Sequence, residues 1–157
     1  MPTKRRFHGD PVRFEVIADF VADNFRTVKY VADVAGGQGM LSRLLDRRGY
    51  VSEVIDPRGW TMAGVKKRQE EYSADMADYY DLIVGVHPDE ATRPVVASAK
   101  VRPVIVIPCC NFWYLDRKLG RDALLDEIEM YLKANKIEYE RVDFNFMGPK
   151  NVGFVTR

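Results

Sequence analysis

The stretch Val31-Ala32-Asp33-Val34-Ala35-Gly36-Gly37-Gln38-Gly39 runs directly into Met40-Leu41-Ser42-Arg43-Leu44-Leu45, and it constrains the chain more than any other segment. An apolar, β-branched run passes into a small-residue turn and then into apolar positions at helical spacing, which reads as strand, tight loop, helix. Glycines in such a turn let a ligand approach the backbone and aim helix N-terminal amides at it. In an α/β fold this is where a nucleotide sits, so Asp33, Ala35, Gly36, Gly37 and Gly39 are the first candidate binding residues.

The flanking segments fit such a fold. Asp10-Pro11 is suited to start a helix, and Phe14, Ile17, Phe20, Val21 and Phe25 then recur at helical spacing. After the loop, Leu41, Leu44 and Leu45 share a helix face, Arg43, Asp46 and Arg47 face water, and Gly49 supplies a stop. Tyr50 to Ile55 is a second strand, parallel to the first, ending on Asp56. Pro57 to Tyr80 is short for a helix, strand and helix. It reads either as one helix over Met62 to Ala77 or, slightly better, as a poor strand over Val65 to Tyr72 with Asp75 in the loop after it.

Asp81 to Val86 and Pro103 to Pro108 are buried strands, with a helix through Val95, Val96 and Ala99 between them. Arg121 to Lys136 carries Leu124, Leu125, Ile128, Tyr131 and Leu132 on one face of a helix. Glu138 to Phe146 alternates charged and apolar residues, Gly148-Pro149-Lys150-Asn151 marks a turn, and Val152 to Thr156 returns as a strand. The expectation is a doubly wound, mostly parallel sheet with helices on both faces and a terminal antiparallel hairpin, in one domain over residues 1–157.

A net charge of +1, with 30% charged and 46% hydrophobic residues, excludes a disordered or strongly basic chain. Any nucleic-acid binding therefore needs a local patch rather than a uniform field. Arg47, Arg48, Lys66, Lys67 and Arg68 are either such a patch or solvated faces, and Thr3-Lys4-Arg5-Arg6 is a frayed terminus or a short nucleic-acid arm. No apolar run approaches the roughly 20 residues that span a bilayer, and no signal peptide is evident, so a cytosolic location without membrane attachment is expected.

The choice of nucleotide follows from the loop chemistry. No Gly-Lys-Ser or Gly-Lys-Thr is present, which argues against a phosphate-loop nucleotidase. Asp56 closes the second strand 19 residues after Gly37, where an acid can accept two hydrogen bonds from a ribose diol. A carboxylate at Asp33 would repel a pyrophosphate but suit a cationic ligand with an amino-acid moiety, which favours S-adenosylmethionine over NAD. The third glycine of a dinucleotide fingerprint is replaced by Ser42. Asp75 is taken as a further cofactor contact.

On these residues the chain resembles the class I S-adenosylmethionine-dependent methyltransferases over nearly its whole length. Asp33 to Gly39 is similar to their first motif, although their members usually carry glycine where this chain has Ala35. Gly85-Val86-His87-Pro88-Asp89-Glu90-Ala91-Thr92 and Val106-Ile107-Pro108-Cys109-Cys110-Asn111-Phe112 resemble the strand ends of a group with a Pro-Cys-Cys that includes the tRNA 2'-O-methyltransferases of the Trm-thirteen type. The resemblance implies methyl transfer, with RNA or a ribonucleoprotein as acceptor and a homodimer or partner subunit aiding recognition. Transfer to a protein or small molecule, and a degenerate domain acting only as an interaction module, stay open.

It also implies that residues after the fourth strand orient the acceptor. His87 could take a proton there, or form a turn with Pro88, while Asp89 could serve the acceptor or cap the helix starting near Glu90. Cys109 and Cys110 admit three readings: a thiolate nucleophile like that of cytosine C5-methyltransferases, two of three zinc ligands with His87, or small packed residues under the acceptor. No metal is expected, since three ligands with an adjacent pair make a poor zinc site. Asn111 joins His87, Asp89, Cys109 and Cys110 as a candidate catalytic residue, and the aromatics after it, Phe112, Trp113 and Tyr114, could stack an acceptor base or cover the core.

Overall fold

The computed structural model describes residues 12–109, 112–146 and 151–157. Helix α1 (Val12–Asn24) precedes β1 (Tyr30–Val34), α2 (Met40–Arg47), β2 (Val51–Ile55) and β3 (Lys66–Arg68). Strand β4 (Leu82–Val86), helix α3 (Thr92–Ala97), β5 (Val104–Ile107), α4 (Arg121–Ala134), β6 (Tyr139–Asp143) and β7 (Val152–Thr156) follow. The strands form one sheet in the order β3-β2-β1-β4-β5-β7-β6. Strand β7 pairs antiparallel with both β5 and β6, and the other pairings are parallel.

Period-2 alternation along the strands makes two cores. Val31, Leu82, Val84, Ile105, Ile107 and Val155 point to the side covered by α1 and α2, where Ile17, Val21, Leu41 and Leu45 meet them. Ala32, Val34, Ile83, Val104, Val106 and Phe154 point to the other, packing on Val95 and Val96 of α3 and on Leu124, Leu125, Ile128 and Leu132 of α4. Burial on both faces explains why β1, β4 and β5 read as continuous apolar runs. Gly49, at φ 92°, follows the end of α2 as the spacing predicts.

Three details differ from the sequence reading. The weak region forms the short strand and not the long helix, but β3 has only three residues and Asp75 lies in a 3-10 helix, Ala74–Tyr79, rather than a loop. The segment through Ala99 is a short α-helix continued by a 3-10 turn, Ser98–Lys100. Helix α4 stops at Ala134 because Lys136 takes a left-handed conformation at φ 56°. The expected Asp10-Pro11 cap, the basic segment Thr3 to Arg6 and most of the Gly148 to Asn151 turn lie outside the described residues.

The chain leaves β1 toward one side and, after β3, returns to β4 on the other. This reversal opens a crevice at the C-terminal ends of β1 and β4. The antiparallel half of the sheet is tightly fitted. A Cβ on Gly153 of β7 would lie 2.7 Å from the Val106 carbonyl oxygen and 2.9 Å from both Ile107 and Phe144. Gly153→Ala is expected to destabilise the fold by about 1–3 kcal/mol, read from the urea midpoint, with Gly120→Ala, which faces open space, shifting it much less.

Candidate functional site

The glycine turn is shaped by backbone conformation and by one buried carboxylate. Ala35, Gly37 and Gly39 adopt φ values of 55°, 58° and 89°. Left-handed geometry is free for glycine and costs about 1 kcal/mol for alanine, which accounts for glycine being the usual residue where Ala35 stands. The amide of Ala35 still extends the sheet ladder by donating to the Ile55 carbonyl at 2.8 Å. A Cβ on Gly36 would fall 2.5 Å from the Asp33 carboxylate, and one on Gly39 would fall 2.6 Å from Val65. Gly37 instead faces open space, with nothing within 4 Å of a Cβ.

Asp33 does not face that space. It has the parity of Val31, so it points beneath the loop toward α2 and is 2% exposed. Its carboxylate accepts from Ser42 Oγ at 2.9 Å, and Ser42 Oγ lies 2.7 Å from Ser52 Oγ. Since the one Ser42 hydroxyl proton goes to Asp33, Ser52 donates in the second bond. Burial pushes the Asp33 carboxyl up from 3.8 to about 7, against the opposing hydrogen bonds from Ser42, and the charges of Asp56 and Asp46 add to the rise. Discrimination of a cationic ligand by an exposed Asp33 charge is therefore corrected: the residue supports the turn from below.

Asp56 is the carboxylate that the loop presents. Its side chain is 1% exposed, and its Oδ2 accepts from the Gly37 amide at 3.0 Å, joining the end of β2 to the open position of the turn. Arg58 donates to both oxygens. Burial pushes the Asp56 carboxyl up, but the Arg58 and Gly37 hydrogen bonds and the Arg58 charge outweigh it, holding the group below the usual carboxylate range. Within the same turn Gln38 Oε1 is buried without a hydrogen-bond partner. Asp75 is exposed, on the first turn of the 3-10 helix after β3.

Across the crevice, the end of β4 carries two more left-handed residues, His87 and Asp89, both at φ 51°. Non-glycine residues in this region carry strain and cluster at functional sites. The His87 amide donates to the Ile107 carbonyl, and its ring meets Phe146 edge-on. Asp89 is not a helix cap: it is the first residue of a 3-10 turn, Asp89–Ala91, that leads into α3, and its carboxylate accepts from Cys109 Sγ at 3.0 Å. That contact ties the end of β5 to the end of β4. Cys110 and Asn111 lie outside the described residues, and no group of three or more His, Cys, Asp or Glu suited to a metal occurs among the described ones.

The aromatic segment divides. Trp113 is 3% exposed and packs edge-on against Tyr131 of α4, so it covers the core. Phe112, Tyr114 and Leu115, with part of Trp113, line a cleft of about 580 Å³ between this segment, α3 and the stretch Tyr72 to Ala74, with Glu90 and Arg93 also on its wall. The Arg93 guanidinium lies 5.2 Å from the Trp113 ring and 5.7 Å from that of Tyr114. Two of the five basic residues are paired with acids: Arg48 with Glu15 and Asp19, Arg68 with Glu53 and Glu70.

Sequence reasoning missed Ser42 and Ser52 as supports and Arg58 as the partner of Asp56. Asp56-Pro57-Arg58-Gly59 reads as a turn in which a cation two residues on can reach back, and that signal was available.

No protein-family model matches the chain, and no curated protein matches it. Solved structures do. The sugar N-methyltransferase KedS8 from Streptoalloteichus sp. superimposes with a TM-score of 0.62 at 12% identity, over 100% of this chain and 96% of its own. A presumed caffeoyl-CoA O-methyltransferase from Staphylococcus aureus gives 0.60 at 12%, over 96% and 85%. The S-adenosylmethionine-dependent methyltransferase SibL gives 0.52 at 15%, over 93% and 55%. This chain has the class I methyltransferase fold, and no helix among its described residues is long and apolar enough to cross a membrane.

The buried Asp33 gives a pH signature. A carboxyl at about 7 in the folded state and near 3.8 when unfolded binds its proton more tightly in the fold. Its stabilising contribution is complete below about pH 4, declines as pH rises and is lost above pH 7. Asp33→Asn is expected to flatten this slope, so its melting temperature should rise relative to wild type between about pH 5 and 8 by the equivalent of a few kcal/mol.

Proposed function

We propose that this protein is an S-adenosylmethionine-dependent methyltransferase whose acceptor is a small molecule. The observation that carries the cofactor assignment is Asp56, a buried carboxylate hydrogen-bonded to the one glycine of the turn that faces open space. The donor set fits the cofactor in kind. Asp56 suits a ribose diol, the Gly37 position is open, and Gly36 and Gly39 leave no room for side chains. S-adenosylmethionine supplies an electrophilic methyl carbon on a sulfonium.

The chain's own part is alignment, exclusion of water and removal of a proton. His87 and Asp89 stand across the crevice from the turn, in a backbone conformation held by the Ile107 carbonyl and by Cys109. In this reading His87 accepts the proton of the acceptor. Cys109 is a positioning residue, because its thiol is committed to Asp89.

The acceptor class rests on the cleft beside α3. Its volume of about 580 Å³ lies within the usual range for small ligands, and its wall is mainly apolar. An RNA acceptor draws less support, because Trp113 is buried and the Arg48 and Arg68 charges are paired with acids. Two neighbours in fold bear the names of a sugar methyltransferase and a presumed caffeoyl-CoA methyltransferase, in keeping with a small acceptor, and a third is named a ribosomal protein L11 methylase.

Titration with S-adenosylhomocysteine is expected to show binding that Asp56→Asn weakens at least about tenfold. No binding by the folded wild type overturns the cofactor assignment. With methyl-labelled cofactor, label should enter the small-molecule fraction of a cell extract, and label confined to RNA or to protein overturns the acceptor assignment.

A further inference from the structure

We infer that Arg58 is a built-in competitor for the nucleoside carboxylate: its guanidinium fork holds the Asp56 oxygens that a ribose diol would use, and cofactor binding displaces it. This rests on the reading of Asp56 given above and adds to it a residue that sets cofactor affinity.

The argument is one of hydrogen-bond capacity. Asp56 Oδ1 accepts from the Arg58 backbone amide at 2.9 Å and from Arg58 Nε at 3.0 Å. Oδ2 accepts from Arg58 Nη2 at 2.8 Å and from the Gly37 amide at 3.0 Å. A carboxylate offers about four lone-pair positions, and all four are taken. The two backbone amides belong to the turns that shape the site and stay in place. The other two positions are held by a side chain that is 66% exposed and free to swing away, whereas the Asp56 side chain is 1% exposed and is not.

A vicinal diol presents two O–H donors to a carboxylate, and the guanidinium presents two N–H donors, one to each oxygen. The two sets of donors compete for the same pair of acceptor positions. Arg58 Nη2 also lies 3.5 Å from the Ala35 carbonyl oxygen, so the side chain bridges from the end of β2 to the end of β1, over the place where the nucleoside would lie. Its backbone is anchored separately, because Lys67 Nζ donates to the Arg58 carbonyl. Displacement therefore requires only side-chain rotation. The negative field of Asp89 and Glu90 also reaches the guanidinium and offers it acidic company on the cleft side once it leaves Asp56.

Calorimetric titration with S-adenosylhomocysteine, whose amino-acid charges cancel, tests the competition. Arg58→Met, checked for folding by circular dichroism, is expected to bind about five- to tenfold more tightly than wild type, the return from removing a bidentate competitor. Raising sodium chloride from about 0.05 to 0.5 M should tighten binding by the wild type, because the exposed guanidinium is screened, and leave Arg58→Met unchanged. Should Arg58→Met fail to fold, Arg58→Lys, which keeps the charge but not the fork, should tighten binding about two- to threefold. Binding by a folded Arg58 variant that equals or falls below that of a wild type that binds overturns the competition and leaves the cofactor assignment standing. Absence of binding by both overturns the two together.

Discussion

The crevice depends on a buried hydrogen-bonded line, Ser52 to Ser42 to Asp33, that fastens β2, α2 and β1 to one another beneath the glycine turn. Polar groups at 0–2% exposure are costly unless satisfied, and here each completes the next. Asp46 of α2 adds a fourth member by accepting the Ser52 amide at 3.0 Å. The carboxylate of Asp33 fills the space that a side chain on Gly36 would need, so the turn's shape is set from underneath as much as by its own glycines. A hydrophobic residue at Asp33 could pack there, but it would offer no acceptor to Ser42 and no register between helix and strand.

The two sides of the crevice are built differently. On the β1 and β2 side, main-chain amides and a carboxylate converge, which is the chemistry of holding a ligand. On the β4 and β5 side, two left-handed non-glycine residues are pinned by a backbone hydrogen bond and a thiol–carboxylate contact, which is the chemistry of aiming a side chain. The sheet supports this division because its chain reverses between β1 and β4.

Much of the architecture was legible because burial on both faces writes itself as uninterrupted apolar strands, as in Leu82 to Val86 and Val104 to Ile107. The partners of the loop acids were not. A sequence shows that Asp33 and Asp56 are close to glycines, but only the pleat decides that one points into the α2 face and the other toward the turn. Asp89 was ambiguous for a similar reason. The residue type suits a cap, and the left-handed backbone that denies it that role, though commoner for Asp and His than for most side chains, is not fixed by residue type alone. Trp113 illustrates the limit for aromatics, since a ring that can stack a base is equally good at closing a core.

The insertion of β7 between β5 and β6 has a kinetic consequence. Ile105 pairs with Val155, and β6 meets the sheet only through β7, so the local β6–β7 hairpin cannot join the sheet until residues some fifty positions apart have found each other. Loop closure over that distance is slow beside the local contacts of α1 and α2. In the interval β5 is an apolar strand with an unpaired edge, Val104 to Ile107, of the kind that recruits other chains. The part of the fold farthest from the glycine turn is thus the part on which folding without aggregation depends.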